Sequence, residues 1–179
     1  MTTSPAIAAV TAALRHLLDE GLNADLPGTK VTTRPPDKAR DNFTGNQVNL
    51  FLYQALPNAA WRNLDPRQAR SERPGQPPLA LNLCYLLSAY GQNDDDPDPA
   101  SHRLLGEAMR ILHEHPVLEP REIGDGSLGI DEHEHAERVR IALRPLSVEE
   151  MSKLWTIFQT PYRLSVAYEV SVVLIENTT

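Results

Sequence analysis

From Tyr162 to Ile175 the chain alternates. Leu164, Val166, Tyr168, Val170, Val172 and Leu174 fall at every second position, with Ser165, Ala167, Glu169, Ser171 and Val173 between them. Side chains two apart share a face of a β-strand, so the pattern predicts one strand with two unlike sides. At about 3.3 Å per residue it would span on the order of 40 Å. That is unusually long, and it suggests a strand reaching past its own domain.

Other stretches offer partners of the same kind. Gln47–Gln54 alternates, with Val48, Leu50 and Leu52 on one face and Asn49, Phe51 and Tyr53 on the other. Leu79–Tyr90 sets Leu79, Leu81, Leu83, Tyr85 and Leu87 on one side, and Asn82, Cys84 and Leu86 on the other. Arg138–Arg144 points Val139, Ile141 and Leu143 one way and Arg138, Arg140 and Arg144 the other, a half-buried strand with a basic outer face. Glu169 can pair with one of those arginines if the two strands are neighbours. A short strand at Lys30–Arg34 is stopped by Pro35-Pro36.

Three helices separate the strands. The first takes Ser4 as N-cap and Pro5 as its first position, carries Ile7, Val10, Leu14, Leu17 and Leu18 at helical spacing, and ends at Gly21. The second is capped by Asp98, has Pro99 at its first position, buries Leu105, Ala108, Met109 and Leu112, and stops at Pro116. The third opens on a capping box of Ser147 and Glu150, with Leu146 stapled onto Met151. Its apolar face is Met151, Leu154, Trp155 and Phe158.

The order is helix, strand, strand, strand, helix, strand, helix, strand. It predicts an α/β (α+β) fold with a single mixed or mostly antiparallel sheet and flanking helices. At 179 residues one domain over 1–179 is expected, with long loops at about 57–78 and 116–137.

Charge and cysteine narrow the function. A net charge of −7 argues against a nucleic-acid binder or a polybasic membrane-surface protein. No apolar run approaches the roughly 20 residues of a membrane span, and the start has no basic leader, so a cytoplasmic protein is expected. Cys84 is the only cysteine, which excludes an internal disulfide and a cysteine-based zinc cluster. With no base beside it in the strand, it reads as a buried, inert thiol.

Several stretches resemble chemistry. His113-Glu114-His115 and His133-Glu134-His135 bracket Gly124-Asp125-Gly126-Ser127-Leu128-Gly129, which spells G-x-G-x-x-G. A dinucleotide fingerprint needs an apolar strand before it and a helix after it, and neither is present. His113 and His115 fall at a helix end and diverge by about 200° on a helix. His133 and His135 share a face of an extended segment and are the remaining metal candidates, against the plainer reading of a solvated loop. The loop from Pro57 to Pro78 gathers Arg62, Arg67, Arg70 and Arg73 in an otherwise acidic chain, a contact candidate or simply a solvated excursion. No catalytic constellation emerges, and no cofactor is expected.

The sequence also carries a family resemblance. The run Leu146-Ser147-Val148-Glu149-Glu150-Met151-Ser152-Lys153-Leu154-Trp155 and its continuation from Thr160-Pro161-Tyr162-Arg163 to Tyr168-Glu169-Val170 are similar to the N-terminal domain of the sixteenth gene product of the Photorhabdus virulence cassette and antifeeding prophage. Asn49-Leu50-Phe51-Leu52-Tyr53 with Pro57–Asn63, then Pro78–Gly91, then Leu104–Leu118 resemble further blocks in the same order. The resemblance implies a phage tail-terminator-like fold and a cap of a contractile injection system. Such a cap is a homohexameric ring that ends the inner tube and the sheath, stops their polymerisation and joins the terminal rings. It is a structural protein, not an enzyme, that assembles into a phage-tail-like particle able to leave the cell. The chain differs from longer members by ending soon after this domain.

Its partners would be further copies of itself, the sheath protein and the inner-tube protein. The candidate contact residues are Arg62, Arg67, Arg70, Arg73, Trp155, Tyr162, Arg163, Tyr168 and Glu169, with Trp155 read first as core. A long edge strand would suit β-augmentation by a neighbour's arm. Two other readings stand beside the cap: a small metal-binding protein using His133 and His135, and an adaptor that recruits cargo or envelope components to the particle.

Overall fold

The computed structural model describes residues 6–62, 78–95, 99–123 and 138–175. Helix α1 (Ala6–Asp25) leads into β1 (Lys30–Thr32), β2 (Gln47–Pro57) and a single turn, α2 (Ala59–Arg62). Strand β3 (Leu79–Tyr90) precedes α3 (Ala100–Glu114), β4 (Val117–Leu118) and a second single turn, α4 (Pro120–Ile123). Strand β5 (Val139–Leu143), helix α5 (Val148–Phe158) and strand β6 (Ser165–Ile175) complete the order. The Ser4 and Asp98 caps lie outside the described residues; α3 has Pro99 at its N-cap position.

The strands form one six-stranded sheet among the described residues, in the order β1-β2-β3-β6-β5-β4. Only β1 and β2 run parallel; every other pair is antiparallel. The sheet is therefore mixed and mostly antiparallel, as the order of elements predicts. Helices α1 and α3 lie together on one face. Val10, Leu14, Leu18 and Leu22 of α1 and Leu104, Leu105, Ala108 and Leu112 of α3 pack on Val48, Leu50, Leu83, Tyr85, Leu87 and Val170. Tyr85 is fully buried, and its hydroxyl sits 2.7 Å from Thr11 Oγ1, tying α1 to the sheet.

Gly21 does not end α1. The helix runs on to Asp25 and buries Leu22. The glycine is there for space: a Cβ at this position would come within 2.6 Å of Ile111 Cδ1 on α3. Close approach of the two helices, not a left-handed cap, is what the residue supplies. Gly21→Val is expected to destabilise the fold by about 1–3 kcal/mol through overpacking, measured by urea unfolding.

Strand β6 departs from expectation in three ways. It begins at Ser165, leaving Tyr162–Leu164 in the approach. Its alternation breaks, because the register shifts between Leu81 and Leu83 on β3, so Val173, not Val172, joins Tyr168 and Val170 in the core. It is also no edge strand. It lies between β3 and β5, and its β5 partners are confined to Tyr168–Ser171. A one-residue bulge reverses which face later residues take, and this no strict period-two reading can anticipate.

On the face opposite α1 and α3, the segment 33–46 covers the first turn of β2. Gln47 and Asn49 are fully buried there. The Asn49 amide accepts from Thr32 Oγ1 at 2.7 Å and from the Arg34 N–H at 3.0 Å, and donates to the Arg34 carbonyl at 2.9 Å. Gln47 donates to Thr32 Oγ1 at 2.7 Å and to the Ala39 carbonyl at 2.8 Å. This pairing ends β1 at Thr32 rather than at Arg34, because the Arg34 backbone bonds a side chain instead of a strand.

Candidate contact surface

The rest of that second face belongs to α5. Its start is the predicted capping box: Ser147 Oγ accepts from the Glu150 N–H at 3.2 Å, and the Ser147 N–H donates to Glu150 Oε2 at 2.8 Å. Its end is Gln159 in the left-handed conformation, φ 54°. The bond from the Ser147 backbone holds the Glu150 carboxyl below the usual carboxylate range. A lowered pKa stabilises the fold above the ordinary carboxyl pKa, and that contribution fades as pH falls through the lowered value. Glu150→Gln is therefore expected to be less stable than the parent near neutral pH and equal to it at strongly acid pH. Paired urea melts across pH check this, and a gap that persists in acid contradicts it. Ser147→Ala is expected to cost about 1 kcal/mol.

Helix α5 is held to the sheet by aromatic rings. Phe158 meets Phe51 of β2 edge-on at 5.7 Å, Trp155 meets Phe158 at 5.6 Å, and Tyr162 meets Trp155 at 5.8 Å. Trp155 is 4% exposed, and its indole N–H donates to Ser165 Oγ at 3.1 Å. Beside the helix runs a groove of about 770 Å³, lined by Leu146, Val148, Met151, Trp155, Pro161 and Tyr162 together with hydroxyl and amide side chains. Val148 and Tyr162 on its rim are 89% and 58% exposed.

A polar row crosses the sheet below α5. Arg144 reaches Glu169 of β6 at 3.4 Å and donates to the Cys84 sulfur at 2.8 Å. Asn82 donates to Glu169 at 3.4 Å and accepts from Asn58 at 2.8 Å. The expected pairing of Glu169 with an arginine of the neighbouring strand is present. Cys84 is fully buried, and burial pushes its thiol pKa up, so sulfur stays protonated. Burial also pushes the Tyr53 hydroxyl to about 12. The row has the character of a sheet staple: its groups are bonded to one another across neighbouring strands.

The contact candidates separate in space. Tyr162 is exposed on the groove. Glu169 and Arg144 are half-buried in the polar row. Arg163 stacks on Tyr90 at 5.4 Å and reaches Asp94 at 3.5 Å, with Arg40 stacked on the same ring at 5.3 Å. Tyr168 is 4% exposed and faces the α1–α3 core, so its ring is not available to a partner, and Trp155 is likewise packed. Arg62 ends α2. Arg67, Arg70, Arg73, His133, His135 and the glycine motif lie outside the described residues. His113 occupies the last turn of α3, and His115 is its C-cap, with Nδ1 2.9 Å from the Ile111 carbonyl. Among the described residues no three metal-binding side chains cluster.

A family model described as the Pvc16 N-terminal domain matches residues 9–179. The chain belongs to the Pvc16 N-terminal domain family. Similar solved structures agree with this fold. One is the sheath/tube terminator of an extracellular contractile injection system, PVC, in its extended state: TM-score 0.65 at 19% identity, over 100% of this chain and 59% of the other. Another is the tube-terminating cap of the anti-feeding prophage: TM-score 0.60 at 17% identity, over 99% of this chain and 57% of the other. The chain therefore spans under two thirds of the length of both terminators. No curated protein matches the sequence. Among the described residues no helix of this Pvc16 N-terminal domain protein is long and apolar enough to cross a membrane.

Proposed function

We propose that this protein is a terminator, or cap, of a contractile injection particle. In this reading it forms a hexameric ring at the end of the particle away from the baseplate, stops growth of the inner tube and sheath, joins their last rings, and turns over no substrate. The observation that carries the reading is the terminator-like fold spanning the chain from end to end, in a protein whose family model covers residues 9–179. The second face of the sheet supports it. Val148 of helix α5 and Tyr162 of the segment after it stand exposed over an apolar groove, and the polar row beneath is bonded within the sheet, which suits a contact surface better than a reaction centre. A ring of one chain needs unlike surfaces meeting head to tail, and closes when the rotation between neighbours allows it.

Native mass spectrometry of the purified chain over rising concentration tests the ring. A hexamer is the expected species; a protein that stays monomeric at every concentration contradicts it.

A further inference from the structure

The sheet has two open edges that differ from its others. Strand β1 pairs only with Gln47–Asn49, so on that side β2 is unpaired from Leu50 to Pro57 among the described residues. On the far side of β3, β5 ends its pairing at Ser171, so among the described residues Val172–Ile175 of β6 have no ladder partner there. Both strands are antiparallel to β3, so they run parallel to each other.

Exposed edges are ordinarily guarded by charge. The short edge strand β1 carries Lys30, and β5 is flanked and interleaved by Arg138, Arg140 and Arg144. The two open stretches carry none. Leu50-Phe51-Leu52-Tyr53-Gln54-Ala55-Leu56 and Val172-Val173-Leu174-Ile175 are uncharged and rich in strand-forming residues. Left bare, such edges are templates for pairing with another chain. The only devices on β2 are the bulge between Leu52 and Gln54 and the terminal Pro57, which limit how far pairing extends without preventing it.

We propose that the open end of β6 in one copy pairs, in parallel, with the open edge of β2 in the next copy, so that one sheet continues from subunit to subunit. The inference rests on the ring reading and names the surfaces that build it. The two edges lie on opposite sides of β3, so the contact is head to tail, and it repeats around a closing ring. The backbone supplies the bonding, and the side chains of both stretches pack on either side of the joined sheet.

Hydrogen exchange of the full chain, monomer against assembled ring, tests the proposal. Backbone amides in 50–56 and 172–175 are expected to slow by roughly tenfold or more on assembly. As a second readout, a chain carrying Gln54→Cys together with Val172→Cys or Leu174→Cys is expected to form a ladder of covalent oligomers on oxidation. Each single variant is expected to stay unlinked, because Cys84 is buried. A ring seen by native mass spectrometry whose edge amides exchange as in the monomer, with no ladder, overturns this pairing while leaving the ring intact. Protection of β2 only in whole particles assigns the edge to another subunit and overturns it too. A chain that never assembles removes the ring and the pairing together.

Discussion

Trp155→Ala is expected to lower the unfolding free energy by about 3–5 kcal/mol. The indole is 4% exposed and sits at the centre of the ring contacts that join Phe51, Phe158 and Tyr162, so its removal leaves a cavity between α5 and the sheet. Trp155→Phe is expected to cost less, roughly 1–2 kcal/mol, because a ring remains and only the indole bond is lost. The Ser165 hydroxyl keeps its bond to the Arg163 carbonyl at 3.1 Å in that variant. Urea unfolding of the three proteins checks the order. A loss under about 1 kcal/mol for the alanine variant would move Trp155 from packing to a contact role.

Asn49→Ala is expected to cost about 3 kcal/mol, by stranding groups rather than by losing bulk. Its amide satisfies Thr32 Oγ1 and both backbone groups of Arg34 in a buried site. The loss should also loosen segment 33–46, read as faster hydrogen exchange there than in α1 or β3. Unchanged stability would mean that water enters and takes over the three bonds.

Both effects bear on what was legible in the sequence. The alternation of Leu79–Tyr90 gave the strand to its end residues, and the Ser147–Glu150 signature placed the start of α5, because each signal is local: a period and a four-residue spacing. The faces of Leu50, Leu83 and Tyr85 followed from the same period. What failed depended on neighbours distant in the chain. Gly21 looks like a cap until Ile111 of α3 stands against it. The alternation that begins at Leu164 runs on paper to Leu174, yet a register shift opposite Leu81 and Leu83 reverses the faces at the end of β6. Its length reads as an edge until β5 is placed beside it.

The site was less legible than the fold. Facing direction alone points Glu169 at an arginine of the neighbouring strand, and Arg144 is the partner. Arg163 and Tyr168 look like contact residues because charge and aromatic rings are common at interfaces. One is engaged with Tyr90 and Asp94 and the other with the core. The ring chain through Phe51 and Phe158 was missed, although an outward phenylalanine on a strand otherwise flanked by Asn49 and Tyr53 signals that something apolar must cover it. Gln47 and Asn49 gave a comparable signal: amides on a strand with strong neighbours are cheap to bury only when loop backbone bonds them.

In the proposed role the protein closes the end of a phage-tail-like particle. The most direct measurement is an electron-microscopic reconstruction of intact particles at the end away from the baseplate, from cells producing this chain. A closed hexameric ring of this fold seated on the last tube and sheath rings is the expected result. Intact particles that end without this chain would contradict it.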